Sequence, residues 1–268
     1  MQQGTIKIED SSWNLIRMGN GKTLLFLFHN IDQSAIDFLP LEQSIGHQYT
    51  LIAIDLPGFG KSEWHQKKLS KKSVIILLER LKLEFKADKI NIAGIGIGSL
   101  YVMMLLEQRS EWIEKAMMID PHGLKRNSWE TALLFNLIGR WKVKKAIRQP
   151  EQYEKILKPL LSWGFIRKED LSSVKRFVTD AANRNLLSPT FIQHYPLVPE
   201  TQKVKWNLKK AKLHLIIYCE DTKPFQIKDA QALAKKSDNV TVEKISSAER
   251  MDSKWLFNTI EQYFNPTH

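Results

Sequence analysis

The sequence predicts an α/β protein: a mostly parallel sheet with helices on both faces, interrupted by one all-helical insertion. Two observations carry the sheet. Strand-like and helix-like runs alternate up to residue 124 and again from residue 212. The runs TLLFLF (23–28) and YTLIAID (49–55) are continuously apolar, as strands buried on both faces are. A third observation carries the insertion. Between about 125 and 205 only helical patterns occur, including NSWETALLFNLIG (127–139), EQYEKILKPLLSWG (151–164) and KEDLSSVKRFVTDAANR (168–184). The expected organisation is a first part of the core over 1–124, a helical cap over 125–208, and a second part of the core over 209–268.

In chain order, TIKIE (5–9) and WNLIRM (13–18) are placed to pair as a hairpin, followed by TLLFLF. Residues 33–45 are moderately amphipathic and precede YTLIAID. That strand ends in LPGFGKS (56–62), whose proline and two glycines mark a tight loop. SKKSVIILLERLKLEF (70–85) reads as a helix, KINIA (89–93) as a strand, LYVMMLLEQ (100–108) as a helix and EKAMMID (114–120) as a strand. After the insertion come strand KLHLIIYCE (212–220), a helix over 226–236, strand VTVEKI (240–245) and helix DSKWLFNTIEQYF (252–264).

Composition narrows the classes. A chain of 268 residues with 43% hydrophobic content suits one large domain with an inserted subdomain. The single cysteine, Cys219, excludes an internal disulfide and any multi-cysteine metal site. No carboxylate spacing makes His47, His65 or His194 metal ligands, so neither a metal nor a cofactor is expected. MQQGTIKIEDSS lacks the apolar core of a secretory signal, and no run reaches the length of a membrane span. A soluble, cytoplasmic protein is the expectation.

The net charge of +11 is unevenly placed. Residues 125–212 hold 19 Lys and Arg against 7 Asp and Glu, whereas the rest of the chain holds 21 against 22. A localised excess favours a small anionic ligand, an anionic lipid surface or an acidic protein partner. Within it RWKVKKAIR (140–148) sets Arg140, Lys144 and Arg148 along one helix face. Trp129, Phe135, Trp141 and Trp163 are its aromatic candidates for a pocket wall. Nucleic acid is not expected, because no recognisable binding motif is present.

The residues that bear on chemistry are AGIGIGS (93–99), between KINIA and LYVMMLLEQ. A dinucleotide-binding turn needs G-x-G-x-x-G, and here the third glycine comes one residue early. A Walker loop needs Gly-Lys-Ser/Thr, which is absent. The alternative is the nucleophile elbow, G-x-S-x-G, in which flanking glycines let a strained turn present a serine. Gly94 and Gly98 match the flanking positions, and Gly96 stands where the serine belongs.

With DLPGFGKS (55–62) after the second apolar strand and the order of elements, the chain resembles the α/β-hydrolase superfamily over nearly its whole length. The resemblance implies an α/β-hydrolase sheet with the insertion as its cap. It aligns FLFHNID (26–32) with the loop that follows the third strand, CEDTKPF (219–225) with the loop bearing the acid, and SSAERMD (246–252) with the histidine loop. On that alignment Gly96 takes the nucleophile position, Asp221 the acid position, with Glu220 adjacent and Asp120 as an alternative, and Glu249 or Arg250 the histidine position. No histidine occurs between His214 and His268. Triad chemistry therefore lacks both nucleophile and base. Locally, GIGIGSLYV resembles the elbow of the N-myc downstream-regulated proteins, where glycine likewise occupies the nucleophile position and the fold is regarded as non-catalytic.

Two expectations follow. The first is a non-catalytic homologue that keeps a pocket for a small, anionic ligand under the basic cap, or binds a protein partner. Its ligand-binding candidates are His29, Asn30, Gly96, Ile97, His122 and Asp221, with the backbone N–H groups of Ile97 and Asn30 as an oxyanion hole and Gly96 opening space above them. The second is a hydrolase or lyase of shifted chemistry, with His122 or His29 as base and Asp120 or Asp221 as its carboxylate partner. Ser99, on the first turn of a helix, and Ser62, in the GFGKS loop, are expected to be structural.

Overall fold

A computed structural model describes residues 1–31, 33–65, 69–124, 193–235 and 237–265, together with 141, 145, 149, 152, 155 and 158. The chain forms two compact units, one of Met1–Lys125 with Pro196–His268 and the other Arg126–Tyr195. The segment expected as cap over 125–208 is thus divided, and residues 196–208 belong with the sheet. The proposed helices at 127–139 and 168–184, that at 151–164 apart from residues 152, 155 and 158, and Trp129, Phe135, Trp163, Arg140, Lys144 and Arg148 lie outside the described residues. Of the second unit, Trp141 is helical and exposed, with the Lys145 ammonium 5.5 Å from its ring centroid.

The first unit is built on an eight-stranded sheet of order β1-β2-β4-β3-β5-β6-β7-β8. β1 (Gln2–Ile8) and β2 (Ser11–Met18) form the expected hairpin. β2 runs antiparallel to β4 (Tyr49–Ile54), and β4 parallel to β3 (Thr23–Phe28). β5 (Ile90–Ile95), β6 (Ile113–Ile119), β7 (His214–Glu220) and β8 (Val240–Ile245) then add in parallel. Every residue of β4 and β5 is buried, which is why their sequences show no alternation.

Seven α-helices are described in this unit: α1 (Pro40–Ile45), α2 (Lys71–Glu84), α3 (Ser99–Gln108), α4 (Thr201–Lys210), α5 (Pro224–Ala234), α6 (Ser247–Met251) and α7 (Ser253–Phe264). The stretch 33–45 is not one helix. Pro40, which has no N–H to donate and clashes with the preceding turn, separates a 3-10 turn (Ala35–Phe38) from α1, where it takes the first helical position. α3 is buried from Ser99 through Glu107, so its sequence carries no polar stripe. Leu25, Leu27, Ala93, Met117 and Ile216 meet α1 and α7 through Leu41, Ile45, Leu256, Ile260 and Phe264 in one core cluster.

The DLPGFGKS loop is fixed by buried Asp55. Its carboxylate accepts from Asn14 Nδ2 at 2.7 Å, from the Ala35 N–H at 2.7 Å and from the Lys61 N–H at 2.8 Å. Ser62 Oγ donates to the Asp55 carbonyl at 2.6 Å and accepts from the Asn14 N–H at 2.9 Å. Asp55→Ala leaves three donors without their acceptor, and we expect urea unfolding to show a loss of about 2 kcal/mol.

Candidate functional site

β3 through β8 are parallel, so their carboxyl ends share one edge of the sheet, where ligands bind in open α/β folds. That edge carries His29 and Asn30 after β3, Gly96 after β5, Asp120 and His122 after β6, Glu220 and Asp221 at β7, and Ser246 after β8.

The elbow has the geometry its glycines imply. β5 runs through Ile95, a single 3-10 turn spans Gly96–Gly98, and α3 starts at Ser99 without an intervening loop. Gly98 allows the turn to approach β3: a Cβ there would lie 2.2 Å from the Phe28 carbonyl oxygen. Gly96 has φ +53°, the left-handed conformation that costs a residue with a side chain. A Cβ on Gly96 would lie 1.9 Å from Asn30 Oδ1 and 2.5 Å from Asn30 Cγ. The space expected to admit a ligand is therefore filled by the Asn30 carboxamide.

The two N–H groups of the expected oxyanion hole are also engaged. Ile97 donates to Asn30 Oδ1 over a long 3.4 Å, and Asn30 donates to Gln33 Oε1 at 3.1 Å. Two side-chain amides of the protein stand where a substrate carbonyl would accept. Gln33 and this use of Asn30 were not legible from the motif, which specifies backbone and not what fills the space above it.

The histidines differ in their bonding. His29 is fully buried; its Nε2 accepts from the Leu56 N–H at 2.9 Å, and its Nδ1 lies 2.6 Å from the Asn30 carbonyl oxygen. Acceptance at Nε2 places the proton on Nδ1, which donates to that carbonyl. Both nitrogens are thus used in holding the two loops. His122 is half-buried, and its backbone N–H donates to the Gly96 carbonyl at 3.1 Å, tying the loop after β6 to the elbow. The structure thus brings Asn30, Gly96, Ile97 and His122 together.

The buried carboxylates after β6 and at the end of β7 meet at Lys223. Its ammonium donates to Asp120 Oδ1 at 2.6 Å and Oδ2 at 2.7 Å, and lies 3.0 Å from Glu220 Oε2. Gln226 Nε2 donates to Asp120 Oδ1 and to the Pro121 carbonyl, each at 2.9 Å. Asp120 is 1% exposed and sits at φ +49°. Burial acts to raise its pKa, but the charges of His122 and Lys223 and the bonds from Lys223 and Gln226 outweigh it and hold the carboxyl below its ordinary range. Glu220 accepts from Ser247 Oγ and, at 2.8 Å, from Thr222 Oγ1. Burial opposes its ionisation too, yet those hydroxyls and Lys223 lower its pKa. Both oxygens of each carboxylate thus accept from groups of the protein, and the charge of His122 also acts on Asp120.

Asp221, placed at the acid position by sequence, is exposed; Glu220 is the buried carboxylate of this loop. Glu249 is exposed and closes a capping box, accepting from the Ser246 N–H at 2.7 Å and Ser246 Oγ at 2.8 Å. A helix cap, α6, therefore stands where a histidine loop was expected, and Glu249 is spent on it. The signal was present as S-x-x-E in SSAE (246–249). The side chain of Arg250 lies outside the described residues. Ser99 Oγ donates to the Gly94 carbonyl at 3.0 Å. For buried Cys219, desolvation, with Asp120 adding to it, pushes the thiol up to about 12, leaving it protonated at neutral pH. Among the described residues no three His, Cys, Asp or Glu side chains gather as a metal cluster, and no helix is long and apolar enough to cross a membrane.

No protein-family model matches the sequence, and no curated protein does. Solved structures match along the whole chain. MGS-M2, an alpha/beta hydrolase enzyme from a Medee basin deep-sea metagenome library, aligns with a TM-score of 0.66 and 16% identity over 99% of this chain and 98% of its own. A hydrolase from Pseudomonas aeruginosa PA01 aligns with a TM-score of 0.62 and 12% identity over 98% of each chain. The epoxide hydrolase CorEH gives 0.59 and 16% identity over 100% of this chain and 99% of its own. Strand order, elbow geometry and these likenesses agree, and the chain has the α/β-hydrolase fold.

Proposed function

We propose that this protein is a non-catalytic member of its fold class, a pseudoenzyme that acts by binding. The observation that carries the reading is the closed elbow: Gly96 supplies no nucleophile, and Asn30 fills the space above it while accepting from Ile97. A covalent acyl intermediate needs a nucleophile, a base beside it and free oxyanion donors, and each of these positions is otherwise used. A small ligand with a carbonyl or carboxylate oxygen enters by displacing the Asn30 and Gln33 amides, which leave Ile97 N–H and Asn30 N–H as its donors. Such a ligand is small and anionic, or belongs to a protein partner.

One observation favours a second reading. His122 is half-buried at the sheet edge, and its charge acts on Asp120. An imidazole there activates a water for hydrolysis or takes a substrate proton in a lyase reaction, without a covalent step. Turnover of activated esters, thioesters and epoxides from about pH 6 to about pH 9, with His122→Ala beside the wild type, separates the readings. Rates equal to buffer for both proteins are expected. Turnover that rises through the imidazole range and disappears in His122→Ala overturns the pseudoenzyme reading in favour of the second.

Opening the elbow is expected to improve binding. Asn30→Gly removes the competing amide, so short-chain carboxylates should raise the melting temperature of this variant more than that of the wild type. Equal shifts in a thermal-shift titration would mean that Asn30 does not compete with the ligand.

A further inference from the structure

We propose that the outward face of α4 is a docking surface for an anionic lipid bilayer. Gln202, Lys203, Trp206, Lys209 and Lys210 fall one, three, three and one residues apart, hence on one side of the helix, and all are exposed. Val204 and Leu208 are buried on the opposite side. The helix is fixed to the body by Asn207 Nδ2, which donates to the Leu106 and Glu107 carbonyls at 2.9 Å each. The lysine face is therefore a rigid feature of the surface.

Trp206 is 60% exposed in the middle of that face, and Lys210 Nζ lies 4.1 Å from its ring centroid. A tryptophan left in water forgoes a large apolar burial. With Lys203, Lys209 and Lys210 on the same side of the helix, it has the two properties a headgroup layer rewards: an amphipathic ring that settles at the interface and cations that meet anionic lipid. Five lysines fall within residues 203–212. Among the described residues, exposed acids near the ends of the helix include Glu200, before it, and Asp238, beside Asn239, whose amide bonds to the Leu208, Ala211 and Leu213 carbonyls.

The occupant follows from the shape of this face. The 10-residue helix is about 15 Å long, which offers far less than the roughly 800 Å² per partner of a stable protein interface. A single indole gives no run of stacking platforms for a nucleic-acid strand. A flat, laterally fluid sheet of negative charge needs neither a large footprint nor a groove.

The test is flotation of the full chain with phosphatidylcholine vesicles and with vesicles containing phosphatidylserine. The wild type should float only with the second, and release as salt rises from about 0.1 M to about 1 M. Lys203→Gln/Lys209→Gln/Lys210→Gln should weaken partitioning about 100-fold, at about fivefold per lysine, and Trp206→Ala about fivefold. All four side chains are exposed, so an unchanged melting temperature certifies the fold of each variant. The proposal is overturned if the wild type does not float with phosphatidylserine vesicles. Folded variants that float like the wild type overturn it too, as does a wild type that binds an oligonucleotide but not vesicles.

Discussion

Lys223→Met is expected to destabilise the protein by about 3 kcal/mol, the low end for breaking a buried ion pair because the lysine itself is partly in water. It should also weaken the response of the fold to acid. In the wild type the Asp120 and Glu220 carboxyls are held below their ordinary range. Groups with depressed folded pKa values add stability above the unfolded-state value, near 4, and lose it as pH falls through the lower folded value. Without the ammonium, Asp120 at 1% and Glu220 at 8% exposure remain buried, and desolvation, the largest influence on each, is less opposed. His122 and Gln226 still favour the Asp120 carboxylate, and Ser247 and Thr222 that of Glu220, so both pKa values move upward toward their ordinary range and less stability should be lost in acid than in the wild type. Urea unfolding at several pH values reads both effects. A variant that loses as much stability in acid as the wild type would show that Lys223 does not help to set the charge state of this pair.

Gly96→Ser is expected to restore the motif and no activity. Replacing one member of a triad leaves the others without function: either the serine or the histidine alone accounts for about 10⁶ in turnover, and no histidine follows His214 before His268, while Glu249 closes a helix cap. The substitution should also cost about 2 kcal/mol, from a side chain at positive φ and from overlap with the Asn30 amide. The overlapping atom is the end of a side chain that can swing aside, so the two costs separate by a double-mutant cycle. Gly96→Ser/Asn30→Gly should recover about 1 kcal/mol relative to the sum of the single changes. Additive effects would indicate that Asn30 does not occupy the serine position.

The sheet was legible because its strands are apolar runs bounded by turn residues, and TLLFLF and VTVEKI match β3 and β8 to the residue. Residues 33–45 were legible only as a moderately amphipathic stretch; the structure divides them at Pro40 into a 3-10 turn and α1. Gly94, Gly96 and Gly98 located the elbow. What fills it was not legible, because motif spacing specifies backbone positions and says nothing of a side chain reaching in from a loop 66 residues earlier in the chain, as Asn30 does toward Gly96. Lys223 was hidden for the same reason. Its i+3 spacing to Glu220 was visible, whereas its stronger partner, Asp120, lies across the sheet edge. Asp221 and Glu220 are adjacent, and only burial tells which one the loop encloses.

Reaction with a fluorophosphonate probe, read by intact-protein mass spectrometry, tests most directly whether this fold retains an activated nucleophile. The wild type should remain unmodified, because Gly96 offers no oxygen, Ser99 is buried against the Gly94 carbonyl and Ser62 is bonded to the Asp55 carbonyl. A single stoichiometric phosphonyl adduct, mapped to any serine of the folded chain, would contradict the account and return the protein to the active hydrolases.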